Sequence, residues 1–107
     1  MIWIEGRHIR VSRGDTARIR IELEDGGALE GAQAAVTVKR RPGDSRALWQ
    51  KRLTVAQGAV ALDLTRADTD HRPGVYWWDL RLTLPDGGVQ TAFTPDVFEI
   101  CEVIGDV

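Results

Sequence analysis

Two histidines, one cysteine and sixteen carboxylates are the side chains from which this 107-residue chain would have to build acid–base, nucleophilic or metal chemistry. His8 and His71 stand far apart in sequence, so zinc or general-base work would need further donors converging on one of them. Asp68 and Asp70 flank His71 and come nearest to a weak metal site. Caps and Asx bonds in a surface turn account for the same residues without a ligand. Two alternating carboxylates are also too few for a calcium loop. Cys101 follows Phe98 and Ile100 in an apolar stretch with no histidine nearby, the setting of a half-buried structural thiol and not of a nucleophile. Gly26-Gly27 and Gly87-Gly88 both read as hairpin-like turns that do not open a helix, so neither forms a phosphate-binding loop. The residues assign no catalytic, metal or cofactor-binding role, and we expect a non-enzymatic protein with no cofactor.

Recognition chemistry is better represented. Trp77 alternates with Asp79, Arg81 and Thr83, on the face opposite Tyr76 and Trp78. A tryptophan exposed among arginines could stack a sugar ring or anchor a protein partner. Trp3 offers a second such ring on an expected edge strand. The candidate interface is therefore Trp77, Arg81 and Trp3. Arg13-Gly14-Asp15 matches an adhesion tripeptide, but it directly precedes a strand and reads as a Gly-Asp turn completed by Thr16.

The elements that must hold these residues alternate with period two, and helical periodicity is almost absent. From Ala17 to Glu24, Ile19, Ile21 and Leu23 share one face while Arg18, Arg20, Glu22 and Glu24 share the other, a strand with one dry and one wet side. The Asp25-Gly26-Gly27 turn follows. Ala35 to Arg41 buries Val36 and Val38, and Arg41-Pro42-Gly43-Asp44 breaks it. A shorter strand around Leu48 to Leu53 carries Trp49, with Val55 continuing its apolar side. Gln57-Gly58 then turns into Ala59 to Leu64. The corner from Leu64 to Gly74 has room for one helical turn, with Thr65 as N-cap and Asp68 three residues on.

After Pro73-Gly74 a long strand, Val75 to Leu84, points Tyr76, Trp78, Leu80, Leu82 and Leu84 to one side. Pro85-Asp86-Gly87-Gly88 makes a hairpin turn. A last strand runs from Val89 to Phe93, is interrupted at Thr94-Pro95-Asp96, and resumes from Val97 to Val103. Ile2 to Ile4 and His8 to Val11 read as a first edge strand broken at Gly6. Seven to nine short strands, with a tyrosine where the chain crosses between layers, predict an all-β, immunoglobulin-like antiparallel β-sandwich. The whole chain, 1–107, is read as one such domain.

Bulk properties narrow the partners. The net charge of -2 gives no basic excess for nucleic acid. No apolar run reaches the roughly 20 residues of a membrane span. The start, Met-Ile-Trp-Ile-Glu-Gly-Arg, lacks an apolar core of signal-peptide length, so cytoplasmic synthesis is expected. A lone cysteine excludes an intrachain disulfide.

The order of features resembles the Ig-like N-terminal domain of phage baseplate upper proteins and related small β-sandwich proteins of phage and prophage tails. The matching pieces are Arg13-Gly14-Asp15-Thr16 leading into Ile19, Ile21 and Leu23, Asp25-Gly26-Gly27, and Val36-Thr37-Val38-Lys39. They continue with Leu62-Asp63-Leu64-Thr65, Pro73-Gly74-Val75-Tyr76 and Phe98-Glu99-Ile100. The resemblance implies a virion structural component acting through protein partners in a tail or baseplate, in homo-oligomeric form or otherwise. Such domains are usually fused to others, whereas this chain ends soon after its last strand, which favours a small adaptor or structural subunit. The alternative expectation is a carbohydrate-binding module using an exposed tryptophan.

Overall fold

The computed structural model describes residues 2–5, 7–24 and 26–105, with side chains for 7–24, 26–93 and 95–105. In chain order the elements are β1 (Ile2–Glu5), β2 (His8–Ser12), β3 (Ala17–Glu22), a short 3-10 turn (Gly26–Leu29), β4 (Gln33–Lys39), β5 (Trp49–Thr54), β6 (Ala59–Leu64), α1 (Arg66–Thr69), β7 (Gly74–Thr83) and β8 (Val89–Cys101). Among the described residues the strands form a six-stranded sheet ordered β1-β2-β8-β7-β4-β5, faced by a two-stranded sheet of β3 and β6. The all-β sandwich is thus the observed architecture. One pairing departs from an antiparallel scheme: β2 runs parallel to β8, from Ile9 opposite Phe98 to Ser12 opposite Cys101.

Alternation decides which faces meet. Tyr76, Trp78, Leu80 and Leu82 of β7 are all buried, as are Ala34, Val36 and Val38 of β4 and Phe98 and Ile100 of β8. Ile19 from β3 and Val60, Leu62 and Leu64 from β6 close over them, making one continuous core. Burying this apolar surface is the main force holding the two layers together.

The crossing between layers is built by hydrogen bonds that local sequence specifies. Thr65 caps α1: the Asp68 N–H donates to Thr65 Oγ1 at 3.3 Å, and the Thr65 N–H donates to Asp68 Oδ2 at 2.7 Å. Burial pushes the Asp68 carboxyl up, but hydrogen bonds from Lys51 and Thr65 outweigh it and leave the carboxyl below its usual range. Thr69 is fully buried, its hydroxyl donating to the Asp15 carbonyl at 2.7 Å. Then Tyr76 reaches back, its phenol O–H donating to the Arg72 carbonyl at 2.7 Å, while the Arg40 guanidinium lies 5.2 Å from its ring centre. This is the tyrosine corner of immunoglobulin-like sandwiches. Tyr76→Phe is expected to cost about 1–2 kcal/mol, the loss of one buried hydrogen bond with its acceptor left unpaired. Urea denaturation checks it, and a midpoint equal to that of the parent would show the corner bond to be idle.

Three expected boundaries are corrected. The single edge strand expected over Ile2 to Val11 is two strands, β1 folding back antiparallel on β2 with Glu5 opposite His8, while Gly6 itself lies outside the described residues. Thr94-Pro95-Asp96 does not end a strand: β8 is continuous, and its pairing with β7 slips between Trp78 and Leu80 and again between Leu80 and Arg81. Proline fits there because β2 pairs with β8 only from Phe98 onward, so no ladder partner loses a donor. Lastly, the glycines after Asp25 form no hairpin turn. They start the 3-10 turn that carries the chain from the small sheet to β4.

Candidate interaction surface

Because the β3–β6 sheet covers one side of the large sheet, the opposite side faces outward. Trp77, Asp79 and Arg81 of β7 belong to it, as alternation with the buried Tyr76 and Trp78 requires. Register sets Trp77 between Lys39 of β4 and Val97 of β8, and Arg81 between Ala35 and Thr91. Arg52 stands next to Ala35 in the same row. Around them the surface is tied by polar cross-strand pairs: Gln50 Nε2–H to Thr37 Oγ1 at 2.8 Å, Gln33 Nε2–H to Thr54 Oγ1 at 3.3 Å, and Arg10 to Glu99 at 3.6 Å. Such pairs stiffen the surface around Trp77 and Arg81.

Arg81 is exposed, whereas Trp77 is only half-buried and not fully open. A shallow hollow of about 70 Å³ lies beside it, lined by Thr37, Lys39, Pro42, Asp79 and Pro95 as well as both Trp77 and Trp78. Burial pushes the Asp79 carboxyl above its usual range, against the pull of Arg81 and Lys39. The hollow is a few water volumes in size, enough for an inserted side chain and too small to enclose a sugar ring. The structure sets Trp77 and Arg81 on one face of β7; Trp3 lies in β1 opposite Arg10, with β2 and β8 between β1 and β7, and its side chain is outside the described residues.

The remaining candidates are structural. Arg13 pairs with Asp70 at 3.0 Å, Gly14 takes φ +81°, and the Asp15 N–H donates to the Ser12 carbonyl, so the tripeptide is a turn docked on the corner. Lys51 holds Asp68 at 2.8 Å. Cys101 is half-buried at the end of β8. Among the described residues no group of three or more His, Cys, Asp or Glu side chains could hold a metal ion, and no helix is long and apolar enough to cross a membrane.

The sequence reading missed a second feature. A cleft of about 650 Å³ opens between the layers beneath β3, lined by Ile9, Ile19, Ile21, Leu23, Leu29, Trp78, Leu82 and Phe93 among others. Phe93 meets Trp78 edge-on at 4.7 Å and carries the Arg7 guanidinium 4.8 Å above its ring. The cleft exists because the small sheet has only two strands and stops short of the large one. Its one legible signal was the apolar row Ile19, Ile21, Leu23, which needs more cover than a single neighbour supplies.

No family model matches the chain, and no curated protein matches it. Among solved structures it is similar to the soluble domain of PmoD from Methylocystis sp. ATCC 49242 (Rockwell), with a TM-score of 0.58 and 13% identity over 94% of this chain and 87% of that one. At that identity the likeness shows the shared β-sandwich fold and nothing of activity.

Proposed function

We propose that this chain is a non-enzymatic structural subunit of a phage or prophage tail or baseplate, working through protein–protein contacts. The observation that carries the reading is the outward face of the large sheet, a platform of paired polar side chains with the half-buried Trp77 and the exposed Arg81 at its centre. Aromatic and arginine anchors set in a polar surround are the usual composition of protein-binding surfaces. The residues that carried the family resemblance also have structural work to do: Pro73-Gly74-Val75-Tyr76 makes the corner, and Asp15 accepts the Thr69 hydroxyl.

The test is capture by the proteins encoded beside it. Trp77→Ala with Arg81→Ala is expected to weaken that capture by about 30-fold, the effect of losing an interface anchor worth at least ~2 kcal/mol. Thermal unfolding should barely move, since both side chains retain solvent contact. Undiminished capture would remove this face from the reading. Binding on a glycan array that vanishes in Trp77→Ala, with no protein captured, would replace the reading by the carbohydrate one.

A further inference from the structure

The outer edge of β3 combines a free row of backbone groups with an ordered charge pattern. The Leu23 N–H donates to the Gly58 carbonyl at 3.0 Å, and the antiparallel ladder continues with Ile21 opposite Val60 and Ile19 opposite Leu62. Backbone groups alternate sides along such a ladder, so those of Arg18, Arg20 and Glu22 face away from β6. Among the described residues no strand pairs with that edge. The outward side chains of the strand run Arg18, Arg20, Glu22, with exposed Glu24 in the turn just beyond, and the inward ones Ala17, Ile19, Ile21, Leu23 line or adjoin the cleft.

Two arginines followed by two glutamates form an antisymmetric row, and antiparallel pairing with an identical strand reverses it. Only one centre of symmetry makes every outward pair opposite in charge. Centred on Ile19, the pairing opposes Arg18 to Arg20; centred on Arg20 or Glu22, it sets a charge against its own copy. Centred on Ile21, it places Arg20 opposite the partner's Glu22 and Arg18 opposite the partner's Glu24, with Ile19 beside the partner's Leu23. That register also brings the outward backbone groups of Arg20 and Glu22 into direct exchange. We propose that two copies of this chain associate through β3 in this register, joining their small sheets into one of four strands and setting their apolar clefts side by side. The inference deepens the structural-subunit reading above, and rests on it, by naming a second copy as one partner.

Charges that protect a sheet edge usually point inward or repel a like strand. Here they lie on the wet face and leave at least one like-charged pair in every nearby register but one. Arg20 already reaches Glu22 at 3.5 Å and the Gln57 carbonyl at 3.1 Å. Both contacts are exposed and weak enough to be shared across a dimer. An edge contact this short buries little area, so the dimer should be weak and salt-sensitive.

Sedimentation of the full chain at rising concentration should show a monomer–dimer equilibrium. Arg20→Glu and Glu22→Arg should each weaken it at least tenfold, since each turns two facing pairs into like charges. An equimolar mixture of the two variants should dimerise as well as the parent, because every facing pair is then opposite again. The parent's Arg20 and Glu22 amides should exchange more slowly with deuterium as concentration rises. A parent that stays monomeric, a dimer indifferent to both substitutions, or a mixture that fails to recover would each overturn the proposal. A monomeric parent still captured by neighbouring tail proteins would overturn self-pairing alone. A β3-dependent dimer that captures none of them would support self-pairing and count against the tail reading.

Discussion

Trp78→Ala is expected to lower stability by about 3–5 kcal/mol, the usual range for deleting a buried aromatic. The side chain is 3% exposed, meets Phe93 edge-on at 4.7 Å, and donates its indole N–H to the Arg7 carbonyl at 2.8 Å. Alanine removes the ring, its aromatic contact, and the donor that ties Arg7, just before β2, to β7. One term pulls the other way. Trp78 also lines the open cleft, so the space left behind is reachable by water and does not stay an empty void. The lower half of the range is therefore favoured. For a domain of this size a loss of 3 kcal/mol should still bring Tm down by about 10–20 °C. Trp78→Phe, which keeps a ring against Phe93 but abandons the Arg7 carbonyl, should fall between alanine and the parent. If chemical denaturation put the alanine variant within about 1 kcal/mol of the parent, Trp78 would not be the centre of the core.

What could be read from sequence was local. The inward row of β7, the outward position of Trp77 and Arg81, and the Thr65–Asp68 capping pair all follow from spacings of two or three residues. Each is present in the structure. What escaped depends on partners distant in the chain. The division into six strands and two rests on β5 pairing with β4 while β6, directly after the Gln57-Gly58 turn, pairs with β3. Nothing in the alternation of either strand encodes that choice. Trp49 was placed on a strand, but its purpose is tertiary. Its indole N–H donates to the Asp68 carbonyl at 3.0 Å and its ring meets Phe98 edge-on at 5.8 Å, sealing the corner helix to the edge of the large sheet. In the candidate surface, alternation exposed Trp77 in principle. The hollow beside it is lined by Pro42 from a loop and Pro95 from the slipped stretch of β8, which only the fold brings together. Thr94-Pro95 carried a true signal with a wrong interpretation, since proline marks a slipped ladder as readily as an ended one.

Gly26→Ala should cost about 2–4 kcal/mol although it adds a single methyl group, and Gly27→Ala, one residue on, should be close to neutral. An added Cβ at Gly26 would overlap the Gly58 carbonyl oxygen and lie 2.5 Å from Gly58 Cα and 2.7 Å from its carbonyl carbon. These are backbone atoms, so no rotamer change relieves the overlap, and overpacking of this kind costs about 1–3 kcal/mol before anything else breaks. Gly58 cannot retreat easily. It follows Gln57 in a two-residue turn where both take positive φ, +55° and +74°, and the turn is closed by reciprocal bonds between Ala56 and Ala59 at 3.0 and 3.1 Å. Its carbonyl also accepts the Leu23 N–H, and the Gly26 N–H donates to the Leu23 carbonyl at 3.1 Å. Any shift that admits the methyl therefore strains at least one of these bonds, adding about 1 kcal/mol for each one lost. At Gly27 an added Cβ meets nothing within 4 Å, and the same substitution there reports only the change in backbone freedom. Parallel urea titrations of the two variants isolate the contact. Equal midpoints would mean that the two glycine turns do not touch. Since Leu23 ends the β3 row, the damage from Gly26→Ala should surface first as faster amide exchange at Leu23, before any loss at the tyrosine corner on the far side of the core.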